Sequence, residues 1–232
     1  SAFTYTPPTG FSVLSTANLP APTITDGSAN FQTTLYTGTG STLEVNQSEN
    51  STFQPDLVWI KQRNKVDNHI VNDAVRGADK ALYTNGTSAE IINGSVTSFD
   101  SDGFTLGTWN NVNQSGITAA AWQWLANGSG SSNTDGDFTS TVSANQTSGF
   151  SVVTWTGDGT SVVVNSIGHG LGKAPSLIIM KRRDPADDWF VYAEPITESY
   201  YLRLNSTAAQ AIDTGNNTWG GTAPTSSVFY TE

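Results

Sequence analysis

Short apolar stretches alternate with polar positions at a period of two along most of the chain, and Gly, Asn, Ser and Thr break that alternation every few residues. Residues 31–45, FQTTLYTGTGSTLEV, predict a strand, a turn at Gly38 and Gly40, and a second strand. Phe31, Leu35, Leu43 and Val45 are their expected inward side chains. Residues 57–60 predict a short strand that returns to solvent at Lys61, Gln62 and Arg63. Further strands are expected over 69–71, 81–83 and 104–106, with a single helical turn at 89–92. In GITAAAWQWLANG, Ala119, Ala121, Gln123 and Leu125 share one face, and Ala120, Trp122 and Trp124 share the other. Both faces carry apolar groups, so this segment reads as a central strand.

The pattern then repeats. PDLVWIKQR at residues 55–63 returns as PSLIIMKRR at 175–183, with Pro55/Pro175, Leu57/Leu177, Lys61/Lys181 and Arg63/Arg183 each 120 positions apart. Leu82/Leu202, Asn85/Asn205 and Thr87/Thr207 extend the match. The openings correspond at an offset of 119, through Phe31/Phe150, Tyr36/Trp155, Gly38/Gly157, Gly40/Gly159 and Val45/Val164. The closing SSVFYTE corresponds to the strand at Phe104, and nothing after it matches AAAWQWL. The second copy therefore reads as lacking its last strand, and another segment or subunit is expected to cover the exposed sheet edge.

These elements predict an all-β fold of tandem antiparallel β-sandwich domains, with jelly-roll-like connections. The expected division is an extended linker or end of a preceding domain over 1–30, a first repeat over 31–127, a joint over 128–149 and an incomplete second repeat over 150–232. Prolines at 7, 8, 20 and 22 favour an extended arm, from which Phe11, Val13 and Leu14 are available to dock. The Gly- and Ser-rich joint is compliant, with Phe138 and Val142 able to fasten it. Both ends of the sequence fall inside motifs, so a processed or longer polypeptide is expected.

Composition narrows the functional classes. The 232 residues carry 20 acidic and 10 basic groups, a net charge of -10, in a chain that is only 13% charged. That field disfavours nucleic acid as a partner. No apolar run approaches the roughly 18 residues of a membrane span, so membrane insertion is not expected. Cysteine is absent, which removes disulfides and thiolate metal sites. His69 and His169 are the only histidines and occupy non-equivalent places in the repeat. The pairs Asp100/Asp102 and Asp135/Asp137 fall short of a calcium loop's ligand set and read as turn residues. Neither a metal nor another cofactor is expected, and no nucleophile motif supports a catalytic role.

Two residue groups are candidates for surface or partner binding. Lys61, Arg63, Lys181, Arg182 and Arg183 concentrate the few basic groups at two repeated strand ends, where they would grip carboxylates, phosphates or acidic sugars. The competing reading pairs them with local Asp67, Asp184, Asp187 and Asp188. Trp109, Trp189 and Trp219 lie in loop-like sequence and offer flat stacking surfaces, whereas Trp122 and Trp155 read as core. Asn-x-Ser/Thr triplets recur, at Asn85 and Asn145 among others, as expected by chance in so Asn-, Ser- and Thr-rich a chain.

GFSVVTWTGDGTSVVVNSIGHGLGKAPSLIIMKRRD, the later DWFVY and the joint NTDGDFTSTVSANQTSGF resemble repeated domains of tail-fibre-like and other virion structural proteins of tailed bacteriophages, especially marine phages. PDLVWIKQRN and SDGFTLG look like a diverged copy of the same pattern. FTYTPPTGFSVLSTANLP is similar to the end of a preceding SPRY-like domain. The resemblance covers residues 31–232 and carries over no catalytic residues. It implies an extracellular virion component, in a tail or appendage, that assembles with other virion proteins, forms a homo-oligomer and attaches to a host-surface glycan. Capsid decoration or scaffolding and glycan degradation are the rival expectations.

Overall fold

The computed structural model describes residues 8–11, 21–159, 163–215 and 217–232. The expected docking of Val13 and Leu14 falls outside these residues, and Phe11 stands exposed after a turn closed by its N–H on the Pro8 carbonyl at 3.0 Å.

The first repeat opens with β1 (Phe31–Thr37) and β2 (Leu43–Asn46), then β3 (Leu57–Gln62), β4 (Ile70–Asp73), β5 (Lys80–Tyr83) and β6 (Ile91–Ile92). It continues with β7 (Val96–Asp100), β8 (Gly103–Leu106), the one-turn helix α1 (Asn110–Asn113) and β9 (Thr118–Trp124). One antiparallel sheet has the order β1-β9-β3-β4-β5-β6 and a second has β2-β8-β7. A single apolar core draws on both sheets: Val58, Ile60, Ile70, Ala81, Ala119 and Ala121 come from the first, and Val45, Val96, Phe104 and Leu106 from the second. β9 lies between β1 and β3, and its Ala119 and Ala121 face the shared core.

The face of β1 differs from the expectation. Phe31 and Leu35 point outward, with Leu35 61% exposed, while Gln32 and Tyr36 point in. Two hydrogen bonds explain how the polar side chains are accommodated. The Gln32 amide donates to the Ser28 carbonyl at 2.9 Å, and the Tyr36 hydroxyl donates to the Val112 carbonyl at 2.7 Å. With the Gln32 amide N–H and the Tyr36 hydroxyl paired, and only Gln32 Oε1 left without a partner, strict alternation sends Phe31 and Leu35 to the opposite face. Residues 91–92, expected in a helical turn, form β6 on the edge of β5.

Residues 128–149, expected as a compliant joint, contain β10 (Ser131–Asn133) and β11 (Ser140–Asn145). They pair antiparallel with β12 (Phe150–Trp155) in the order β10-β11-β12. Backbone pairing outweighs the low hydrophobicity there, because Val142 and Ser143 are buried and the Ser140 hydroxyl donates to the Gly168 carbonyl at 2.9 Å. The chain continues through β13 (Asn165–Gly168), β14 (Leu177–Lys181), β15 (Trp189–Ala193), β16 (Tyr200–Arg203), β17 (Ala211–Ile212) and β18 (Val228–Thr231). Their sheets are β14-β15-β16-β17 and β13-β18.

The repeat survives down to single hydrogen bonds. His69 N–H donates to Asn85 Oδ1 at 2.8 Å, and Trp189 N–H donates to Asn205 Oδ1 at 2.9 Å. Gln47 N–H donates to the Asp102 carbonyl, and His169 N–H donates to that of Ser227. This last correspondence corrects the alignment of one strand. Val45 opposes Phe104 as Ile167 opposes Phe229, so the counterpart of Val45 is Ile167 rather than Val164. Both Val45 and Ile167 are buried, while Val164 precedes β13 and is exposed.

Candidate functional site

The basic strand end of the second repeat meets the first repeat. After β14, Arg183 turns back so that its Nε and Nη2 donate to the two carboxylate oxygens of Glu90 at 2.9 and 2.8 Å. Glu90 returns its own N–H to the Arg183 carbonyl at 2.8 Å, and Asp187 N–H donates to the Thr87 carbonyl at 2.8 Å. Glu90 also accepts from Arg76 Nη1 at 3.0 Å. Arg76 is buried, with Nη2 on the Val71 carbonyl and its backbone N–H on Asp73 Oδ1. Glu90 thus bridges a buried guanidinium of its own repeat and a half-exposed one of the next. Burial alone would raise the Glu90 pKa, but the hydrogen bonds and charges of Arg183 and Arg76 outweigh it and hold the carboxyl below the ordinary glutamate value.

Beside this ion cluster lies an apolar contact. Trp189, at the start of β15, is 7% exposed and packs with Val71 and Leu82, flanked by Leu57, Trp59 and Leu204. Its indole N–H donates to the Tyr83 carbonyl at 2.8 Å. The first repeat carries His69 at the equivalent place, edge-on to Trp59 with ring centres 6.5 Å apart. The tryptophan therefore reaches across to the neighbouring sheet, whereas the histidine stays with its own.

These contacts correct the expectation for several candidate binding residues. Arg183 and Trp189 are spent on the contact between repeats. Trp219 is 2% exposed, set edge-on to Tyr192 at 5.8 Å, with its backbone N–H on Asp213 Oδ2 at 3.0 Å. Asp213 accepts from Thr218 N–H as well, folding the loop so that the indole turns inward. Trp109 is half-buried against the first core, stacked on Tyr83 with ring centres 6.2 Å apart and planes at 29°. Lys61 Nζ donates to the carbonyls of Gln62 and Lys65 at 2.6 and 2.9 Å, and Lys181 repeats this on Arg182 and Pro185 at 2.6 and 3.3 Å. The repeated lysine ties down the loop that follows its strand. Arg182 is mainly exposed, 3.5 Å from Asp187, and Arg63 is exposed.

A different aromatic group is partly open to solvent, with Phe31 exposed and Trp124 and Phe150 half-buried. Phe31, Trp124 and Phe150 form a row, with centre distances of 4.9 Å for Phe31 to Trp124 and 6.0 Å for Trp124 to Phe150. With Ile24, Asn30 and Ser148 they line an open cleft of about 370 Å³ between β1, β9 and the turn before β12. Asn145 Nδ2 donates to Asn30 Oδ1 at 2.9 Å and fastens that turn to the first repeat. The sequence signal for this row was the repeated Phe31/Phe150 pair, of which alternation assigned Phe31 to the interior.

No three His, Asp or Glu side chains gather as a metal site among the described residues. No helix among them is long and apolar enough to cross a membrane.

A family model described as "Domain of unknown function (DUF7483)" matches residues 26–232. The chain belongs to this family. The DUF7483 match begins at Asp26, whose carboxylate caps the short 3-10 turn Gly27–Ala29 and accepts from Ser51 at 2.6 Å, and it spans both repeats and the contact between them. No curated protein and no solved structure matches the chain.

Proposed function

We propose that the chain is an architectural component of a bacteriophage virion, in a tail fibre or appendage, and that each repeat is a jelly-roll-like β-sandwich. The observation that carries this reading is the contact between repeats. A Trp, a two-pronged Arg–Glu pair and two backbone hydrogen bonds join one repeat to the next, which suits a part that must hold its shape and transmit load. The motif resemblance to virion structural proteins supplies the setting, with other virion proteins and further copies of the chain as partners. Fold and composition alone would leave the role open.

The row Phe31, Trp124 and Phe150 favours host-surface attachment within the same role. Aromatic faces beside amide and hydroxyl groups suit the apolar faces and hydroxyls of a sugar ring. The test is gold-labelled antibody against the chain on intact particles, combined with binding of the chain to glycans of the host surface. Label on the tail or appendage, with binding that falls at least tenfold in Trp124→Ala, is the expected result. Label spread over the capsid lattice would overturn the appendage assignment, and unchanged binding in Trp124→Ala would overturn the attachment site.

A further inference from the structure

Among the described residues the second repeat has no counterpart of β7 or of β9, and the place of β9 leaves two edges open. In the first repeat, β9 fills the place between β1 and β3. In the second, the counterparts of those neighbours, β12 and β14, each end a sheet, and no described strand lies between them.

Hydrogen-bond phase, carried over from the first repeat, directs both open edges toward the place that β9 would occupy. Leu125 N–H to the Asn30 carbonyl and Gly38 N–H to that of Ile117 direct the even-numbered residues of β1 toward β9. Their counterparts in β12 are Ser151, Val153 and Trp155. Gly149 N–H on the Asn145 carbonyl, with Gly149 at φ 72°, closes a bulged turn that pairs Asn145 with Phe150 and commits the alternate residues to β11. On β3, Arg63 N–H to the Thr118 carbonyl directs odd-numbered residues toward β9. The β14 counterparts are Leu177, Ile179 and Lys181, while Glu194 N–H to the Ser176 carbonyl puts the even-numbered ones toward β15.

Side-chain burial tells the same story. Val58 and Ile60 are fully buried beneath β9, whereas their counterparts Ile178 and Met180 are only partly covered. Leu177 and Ile179 are 59% and 41% exposed. An apolar strand with a free backbone edge is a template for an added strand.

We infer that the slot between β12 and β14 receives an extended polypeptide strand, donated from outside residues 1–232, that runs antiparallel to both and carries the small-residue pattern of β9. Register in the first repeat defines the occupant. Residues matching Trp124, Trp122 and Ala120 lie opposite Leu177, Ile179 and Lys181, and those matching Ala119 and Ala121 point inward. One position differs. Gln123 of β9 donates to Thr34 and accepts from Gln47, but the counterparts are Val153 and His169, and His169 Nε2 is already 3.1 Å from the Thr225 carbonyl. The donated strand therefore carries an apolar residue where β9 has glutamine. This inference does not depend on the virion reading.

The probe is a synthetic peptide of residues 116–126, GITAAAWQWLA, with a second peptide carrying Gln123→Val and a scrambled control. Amide hydrogen exchange of the full chain is followed with and without each. Alone, the monomeric chain should exchange rapidly at Val153, Trp155, Ile179 and Lys181 and slowly at the matching amides of β1 and β3. The first peptide should slow those four amides at least tenfold at saturation, the Gln123→Val peptide should bind more tightly, and the scrambled one should do nothing. Ile179→Pro removes a slot-facing N–H while keeping the pairing residues toward β15, as an edge strand tolerates; it should fold and lose the protection. No protection by either peptide overturns the inference. Slow exchange at these amides in the isolated monomer would mean that the chain's own residues cover the slot. Slow exchange that appears only with dimerisation would assign it to a second copy. Either result also overturns the inference.

Discussion

Arg183 and Glu90, 93 positions apart in sequence, are joined by two parallel N–H···O bonds of 2.9 and 2.8 Å, and a third bond runs back from Glu90 N–H to the Arg183 carbonyl. Only arginine presents two donors in that fork, so Arg183→Lys is not conservative here. The Arg183 side chain is 36% exposed, which limits the loss on Arg183→Ala to about 1 kcal/mol. Glu90→Ala costs more, about 1–3 kcal/mol, because it also strips a carboxylate from the buried Arg76. Urea denaturation of the single and double variants measures both, and a coupling energy near zero would show that the fork does not form in solution.

The same pair sets a pH dependence. The folded Glu90 carboxyl titrates below its ordinary value, so its contribution is fully present above the unfolded pKa of roughly 4.3 and is lost as pH falls through the lower folded value. Asp26 and Asp137 are also lowered, each chiefly by serine hydrogen bonds, so acid loss in the native chain is a composite. Subtracting the profile of Glu90→Gln isolates the junction. The difference should be flat from about pH 5 to pH 8 and shrink below about pH 4; a difference that grows with acid would reverse the assignment.

Where backbone periodicity and side-chain apolarity agree, the fold was legible. The strands at 57–62 and 177–181 and the central position of β9 follow from alternation, because a run such as TAAAWQW has two apolar faces. Legibility failed where a polar group was buried with a partner. Gln32 faces inward because the Ser28 carbonyl meets it, and no period-two rule anticipates that bond. It failed again at β13, where VVVNSIG offers two apolar registers three residues apart and only the pairing of Ile167 with Phe229 selects one. The roles of Arg183 and Trp189 depend on contacts with Glu90 and Tyr83, to which local spacing is blind.

Trp189 provides a separate handle on the junction. Trp189→Ala removes a buried indole and its hydrogen bond to the Tyr83 carbonyl, at a cost of about 3–5 kcal/mol. Trp189→His places the first repeat's residue at the equivalent position. It should keep β15 paired, because the backbone bond to Asn205 does not involve the side chain, while separating the repeats. Small-angle scattering should report a larger radius of gyration for Trp189→His than for the native chain. An unchanged radius would mean that the ion cluster and the hydrogen bonds around it hold the junction without the indole.

Gly103 tests the register that equates the repeats. It lies opposite Asn46, and a β-carbon there would meet the Val45 carbonyl oxygen at 2.1 Å, a backbone atom that cannot swing aside. In the second repeat the paired positions are Gly168 and Val228, so the side-chain-bearing residue has changed strands. A β-carbon on Gly168 would meet the Asn133 side chain, which can rotate away at the cost of its two hydrogen bonds with Asp135. Gly103→Ala should therefore cost at least the 1–3 kcal/mol typical of overpacking, and Gly168→Ala less. Gly27→Ala, which meets nothing within 4 Å, should leave stability within about 0.5 kcal/mol of native. Thermal unfolding of the three variants ranks them, and equal melting temperatures for Gly103→Ala and Gly27→Ala would rule out the close approach of β8 to β2.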